Sequence, residues 1–142
     1  SEEFYALAKA HLNQDGILAT WVPADASPDS RAAILRSLVN SFSFVRCFVS
    51  VDNMGVHMLS SQQPIANISA REIASRTPAA AAIDLLEWER SETLVNYIQR
   101  VLGNEMPVQL ALNPQAQIRI TDDRPYNEYF LLRKWRNDFV HR

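Results

Sequence analysis

Phe44-Val45-Arg46-Cys47-Phe48-Val49-Ser50-Val51, then Asp52-Asn53-Met54-Gly55, then Val56-His57-Met58-Leu59-Ser60, is the stretch that decides the fold. The first run is rich in aromatic and β-branched residues, which suit a pleated, half-buried surface. The middle four have turn composition: Asp and Asn bond their own backbone, and Gly accepts positive φ. The last run returns as a second strand, so the passage reads as a β-hairpin.

Working upstream, Ile17-Leu18-Ala19-Thr20-Trp21-Val22 is a short apolar run that stops at Pro23, and it reads as a buried strand. A helix lies between it and the hairpin. Ser27 is its cap, Pro28 fills its first turn, and Ile34, Leu35, Leu38, Val39 and Phe42 form its apolar face. A further helix opens the chain, capped by Ser1, with Glu2 and Glu3 at the positive end of its dipole and Phe4, Leu7, Ala8 and Leu12 at helical spacing. Gly16 is expected to take a left-handed conformation at its end.

Downstream of Pro64 the pattern turns helical. Ser69 with Glu72 is a capping-box pair, and Thr77-Pro78 starts a helix running through the alanines to Trp88. Ser91 is expected to cap a third helix, with Leu94, Ile98, Val101 and Leu102 on one face. Residues 106–117 are irregular, 118–121 a short extended segment, and Asp122-Asp123-Arg124-Pro125 a turn. An aromatic-rich helix from Asn127 to about Asp138 closes the chain. The division expected is an α/β part over 1–65 and a helical extension with its tail over 66–142, packed on the same domain.

A chain of 142 residues fits one core. Hydrophobic residues make up 47% of it and the net charge is −2, with a pI near 5.9, so no nucleic-acid partner is called for. The basic, aromatic end (Arg133, Lys134, Trp135, Arg136, His141, Arg142) reads as an amphipathic helix that buries Trp135 and exposes its cations. The single cysteine, Cys47, lies in an apolar run and fits a reducing compartment. No apolar run approaches the ~20 residues of a membrane span. A cytoplasmic setting and no membrane contact from this segment are expected.

The three glycines, Gly16, Gly55 and Gly103, are isolated. A dinucleotide turn or a P-loop needs glycines close together, so neither can be built. His11, His57 and His141 have no i,i+4 partner and no cysteine cluster, so no metal site is expected. No serine stands in a nucleophile elbow. The densest polar constellation is Thr121-Asp122-Asp123-Arg124-Pro125-Tyr126-Asn127-Glu128-Tyr129, which is either local capping and pairing around Arg124 or the lining of a cleft.

That constellation resembles the T-D-D-R-P-x-x-E-Y tail of bacterial spermidine synthase-like proteins, notably members fused to transporter-like membrane domains. Phe4-Tyr5-Ala6-Leu7 through Leu12, followed by Gly16-Ile17 and the strand, resembles their F-Y-x-L…L-x-x-x-G-I passage. The order helix, strand, helix, hairpin is similar to the last third of the class I methyltransferase fold. The fold class implied is therefore α/β, the C-terminal part of a Rossmann-like class I methyltransferase fold, one strand plus a β-hairpin, followed by a helical segment.

The family transfers an aminopropyl group from decarboxylated S-adenosylmethionine to a polyamine. Its glycine loop and catalytic aspartate lie upstream of the matched passage, so the resemblance implies a C-terminal fragment without cofactor or catalytic residue of its own. The parent would bind decarboxylated S-adenosylmethionine or S-adenosylmethionine and a polyamine-like substrate, with any membrane anchor in a separate domain. Ligands bind beyond the carboxyl ends of strands in such sheets. That rule makes Trp21, Pro23, Asp52, Asn53, Asp122, Asp123 and Tyr126 the candidates for lining the cleft. The sequence departs from the family at two places. Thr20-Trp21-Val22-Pro23 stands where a T-Q-G-E-like segment is usual, and Val51-Asp52-Asn53-Met54-Gly55 where a Y-P-[ST]-G-like turn is usual. Two alternatives stand beside this reading: a non-catalytic binding or assembly module, and part of a methyltransferase using S-adenosylmethionine. A homo-oligomer is expected because the apolar strand at 17–22 carries nothing to blunt an open edge. Trp21 is read as structural first and site-lining second, with truncation expected to cost about 3–5 kcal/mol, as for a large aromatic removed from a core.

Overall fold

The computed structural model describes residues 1–89, 91–112, 118–126, 128–129, 132 and 135–136. In chain order these form α1 (Glu2–His11), β1 (Leu18–Pro23), α2 (Pro28–Ser41), β2 (Phe44–Val49), β3 (Gly55–Ser61), α3 (Ala70–Arg76), α4 (Ala79–Leu85), α5 (Leu94–Gly103), β4 (Glu105–Met106) and α6 (Val108–Ala111). The chain is α/β, with a four-stranded antiparallel sheet in the order β1-β3-β2-β4.

Side chains start the helices largely as their residue types dictate. Ser1 Oγ accepts the Phe4 N–H at 3.1 Å, Ser27 Oγ that of Ser30 at 3.1 Å, and Ser69 Oγ that of Glu72 at 3.2 Å. The cap of α5 is Thr93, which accepts from Asn96, and not Ser91. Helix α4 ends at Leu85, short of Trp88. Gly16 does not terminate α1 in a left-handed conformation. The helix ends at His11 with Leu12 extended, and among the described residues the positive φ belongs to Asn53 and to no glycine. The closing helix expected over 127–138 falls largely outside the described residues, but Trp135, expected to be buried on it, is exposed.

Glu105–Met106, read from sequence as the start of an irregular stretch, instead pairs with Cys47 and Phe48 as a fourth strand. Two residues carry too little periodicity to show in sequence. Arg46 secures them: its guanidinium meets the Glu105 carboxylate at 2.6 and 2.7 Å and lies over the Phe48 ring.

Strand alternation divides the sheet into two faces. Val22, Cys47 and Met58 point inward against Leu35, Leu38 and Phe42 of the α2 region and Tyr5 of α1, forming the core. Each such fully buried side chain contributes about 1.5–3 kcal/mol. Helix α1 flanks α2 on the β1 side, where Tyr5 bonds Thr20, and α6 lies on the β2 side. The opposite face carries Trp21, Arg46, Phe48, His57 and Leu59 by the same alternation. Helices α3 and α5 pack together and cover its β2 half. Its β1 half is open: Ile17, Ala19, Trp21 and His57 are exposed.

Cys47 sits fully buried in the core, and burial pushes its thiol up to about 11, with the Glu105 carboxylate adding to the shift. A thiol held this way is not a nucleophile. Native protein at pH 8 is expected to resist a thiol-specific reagent, with modification following unfolding. Because the unfolded chain ionises this thiol first, stability declines as pH rises beyond about 9. Rapid labelling of the folded protein at pH 8 would contradict this.

Candidate functional site

The end of the sheet where β1 stops and the β2–β3 hairpin turns is the first place that brings expected residues together. Pro23 lies opposite Gly55 in the ladder, so Trp21, Pro23 and the hairpin tip share one end. Asp52 and Asn53 build the tip itself. Asp52 Oδ1 accepts the Met54 N–H at 2.9 Å, Asn53 N–H donates to the Ser50 carbonyl at 2.9 Å, and Asn53 holds φ of 59°. Asn tolerates that region where branched residues do not.

Trp21 is held by a close approach. Its indole lies over Gly55, where an added Cβ would stand 2.4 Å from Nε1 and 2.6 Å from the Val22 carbonyl oxygen. Gly55 is therefore required by contact with the ring and the neighbouring strand. The other face of the indole is open, leaving Trp21 52% exposed, which corrects the reading of a buried ring.

Two hollows flank this end. One, of about 240 Å³, lies beyond β1 where the chain enters α2; Trp21, Pro23, Asp25, Ser30 and Ile34 line it. The second, of about 600 Å³, lies between the outer sheet face and the helical extension, with Asp52, Phe48, His57, Trp88, Tyr97 and Val101 in its walls. It is mostly apolar, with a few polar groups at its margin: Asp52, His57, Glu89 and Arg100. This is the general character of a small-ligand pocket. Arg100 is engaged by Glu92 at 2.7 Å and Glu89 at 3.6 Å, and lies over Tyr97. Sequence reading missed Asp25, His57, Trp88 and Tyr97 as wall residues. No motif joins them: His57, Trp88 and Tyr97 meet only through the folding back of 66–102 onto the sheet, and Asp25 lies by the separate hollow where β1 leads into α2.

Asp122, Asp123 and Tyr126 are not at this end. Their turn is closed by Thr121 and Arg124, whose backbones bond each other. Asp123 and Tyr126 line a separate hollow with Arg119 and Tyr129. The segment is tied to the start of α1: the Ile120 carbonyl accepts the Glu2 N–H at 2.8 Å, Arg119 grips the Glu2 carboxylate, and the Asp122 N–H donates to Glu3 Oε2 at 3.1 Å. Glu2 also accepts from Asn40 near the end of α2. Ser30, beside the hollow at β1, is at the other end of that helix, about 15 Å away at ~1.5 Å per residue. The seven candidates thus fall into two groups, four at the hairpin end and three beside α1.

Among the described residues no group of three or more His, Cys, Asp or Glu side chains could hold a metal ion, and no helix is long and apolar enough to cross a membrane. No protein-family model, curated protein or solved structure matches the chain.

Three substitutions check this geometry. Trp21→Ala is expected to cost about 1–2 kcal/mol in denaturant unfolding, below the ~3–5 of a buried ring. Gly55→Ala is expected to cost about 1–3 kcal/mol, because the new methyl meets backbone that cannot yield. Equal stability of Gly55→Ala and wild type would remove the close approach. The Arg119 hydrogen bond holds the Glu2 carboxyl below its usual range, so the tether is present at neutral pH and is lost as pH falls through that lowered value. Glu2→Gln is expected to speed tryptic cleavage after Arg119 severalfold at neutral pH, and an unchanged rate would show that the pair holds nothing in place.

Proposed function

We propose that this chain is the sheet-completing C-terminal part of a spermidine synthase-like transferase domain with a Rossmann-like class I methyltransferase fold. The observation that carries the reading is the placement of β3 between β1 and β2, antiparallel to both, with no described strand on the outer side of β1. A parallel α/β sheet that ends in a hairpin needs this arrangement. Its last crossover strand keeps one edge for the parallel strands upstream, and the hairpin's second strand fills the other. The strand–helix–strand order of β1, α2 and β2 supports it, since β1 and β2 run the same way with β3 between them. So does the open outer face at Ala19 and Trp21, since sheets of this kind are covered by helices on both faces.

On this reading the chain supplies one wall of the substrate cleft at the carboxyl end of β1. Trp21 and Pro23 form the wall, and Asp25 and Asp52 bring two carboxylates suited to a cationic, polyamine-like substrate. The residues present do not fit decarboxylated S-adenosylmethionine or S-adenosylmethionine. Gly16 precedes a strand, Gly55 opens one under Trp21, and Gly103 ends a helix, so none forms the close turn between strand and helix that such a cofactor needs. Group transfer therefore belongs to residues upstream, and the fragment is inactive by itself.

A different observation favours the reading as a non-catalytic binding module: the 600 Å³ cavity is built by the extension that the family resemblance does not cover. The two readings separate on two measurements. Calorimetric titration of the 142-residue chain with either cofactor is expected to give no heat of binding, and one-to-one binding at micromolar concentration would defeat the fragment reading. The reading frame preceding Ser1 is expected to encode parallel-sheet units with a glycine-rich turn and an acidic active-site residue. A frame without them leaves the binding module.

A further inference from the structure

Among the described residues no strand pairs with the outer edge of β1, and the hydrogen-bonding parity of that edge follows from the ladder. The Ala24 N–H donates to the Met54 carbonyl at 2.8 Å, in the same register as the β1–β3 ladder. Hydrogen-bonded pairs alternate with non-bonded ones in an antiparallel ladder. Leu18, Thr20 and Val22 therefore aim both backbone groups at β3, whereas Ile17, Ala19 and Trp21 aim theirs outward. The far side of the sheet agrees: Ser50 N–H donates to Gly55 and Val49 N–H to Asn104, as the same alternation requires. Pro23, the next outward residue, has no N–H to offer. Its ring costs β1–β3 nothing and marks where outward pairing stops.

We propose that this edge is self-complementary and pairs with β1 of a second copy, antiparallel, about a two-fold axis through Ala19. Centring on Ala19 places Ala19 opposite its own counterpart and Ile17 opposite the partner copy's Trp21. All of these are outward-facing residues, so every pair is a bonding pair. About six inter-chain hydrogen bonds follow, two for each pair. Shifting the axis by one residue, onto Thr20, keeps about six bonds but sets Ile17 against Pro23, which leaves the Ile17 carbonyl without a donor, and sets Trp21 against Ala19. Side chains agree with backbone. Ile17, Ala19 and Trp21 lie on the outer face, so an aromatic ring meets a β-branched side chain on each side of a small residue, a favourable cross-strand pair. Ile17 and Trp21 are about half exposed in the single chain, and no charge lies between Ile17 and Pro23 to oppose contact. On α1, whose Tyr5 bonds Thr20 of β1, Phe4 and Leu7 are exposed and three residues apart. The occupant is a second copy because the register that satisfies the backbone is the one that matches the side chains, and a two-fold gives both at once.

This inference does not rest on the transferase reading. An upstream parallel strand would compete for the same edge, so a longer polypeptide that carries one would not dimerise here. The test uses the 142-residue chain. Sedimentation across micromolar concentrations is expected to show a dimer. Ala19→Lys and Ala19→Glu, exposed substitutions that leave the β1–β3 ladder intact, are each expected to weaken it at least tenfold by placing like charges on the axis. Mixing the two variants is expected to restore a dimer, because residue 19 faces residue 19. Circular dichroism checks that each remains folded. If charged variants misfold, Ala19→Cys replaces them. Bonding pairs stand ~5.5 Å apart at Cα, within disulfide reach, so mild oxidation should link two copies. A monomer at all concentrations, a dimer indifferent to charge at residue 19, or dimers weakened singly but not restored on mixing would each overturn the proposal.

Discussion

Everything in this chain hangs on β3 being paired along both of its edges. It is flanked by β1 and β2, its inward residue Met58 is fully buried, and the register of both neighbours is fixed by alternation along it. A one-residue slip would turn Met58 outward and bring His57 into the core against Leu35 and Leu38. The hairpin tip reinforces that register, with Asn53 in a left-handed conformation and Asp52 holding the Met54 N–H. At the same end the Trp21 indole lies on Gly55 and ties β1 to β3 through a contact that tolerates no side chain.

From that strand outward, the molecule separates into a finished half and an unfinished one. The inner face is closed by α1, α2 and α6, and the β2 edge is closed by β4 and the Arg46–Glu105 pair. The outer face is closed over β2 by α3 and α5 and open over β1. Openness of an edge and of the adjoining face in one place is not what random surface wear produces. Such strands are commonly charged or covered; Ile17, Ala19 and Trp21 carry no charge, and no described element covers them. The two proposals above, a seam for upstream strands and a seam for a second copy, both draw on this surface. The two uses differ in direction, because a transferase sheet adds a parallel strand and a two-fold adds an antiparallel one.

Much of this was legible in the residues, for local reasons. The hairpin followed from β-branched runs around Asp-Asn-Met-Gly, and the starts of α1, α2 and α3 followed from Ser1, Ser27 and Ser69, whose hydroxyls reach a backbone N–H within three residues. What sequence did not carry was anything fixed at long range. The choice of Thr93 over Ser91 depends on where α5 is positioned by packing, since both can cap. The strand at Glu105–Met106 exists because Arg46, far away in sequence, reaches Glu105. Trp21 was legible as a strand-end aromatic, but its half exposure follows from the missing cover on the β1 side. The candidate residues were legible as polar clusters only, and nothing in Asp122-Asp123 says that Glu2 and Glu3 will anchor their turn beside α1.

That anchoring bears on how the tail is to be understood. The segment that resembles the family tail lines a hollow of its own, and part of it is engaged locally: Arg119 with Glu2, the Asp122 N–H with Glu3, and the Thr121 backbone with that of Arg124. Helix α1 carries Glu2 and Glu3 in its first turn, where the helix dipole favours them. The tail therefore adds a cation and an N–H donor to a site already selected for anions. It ties residues 119–122 to the first turn of α1. Phe4 and Leu7 lie on that helix, exposed. The tail thus fixes the first turn of that helix, through the carboxylates of Glu2 and Glu3.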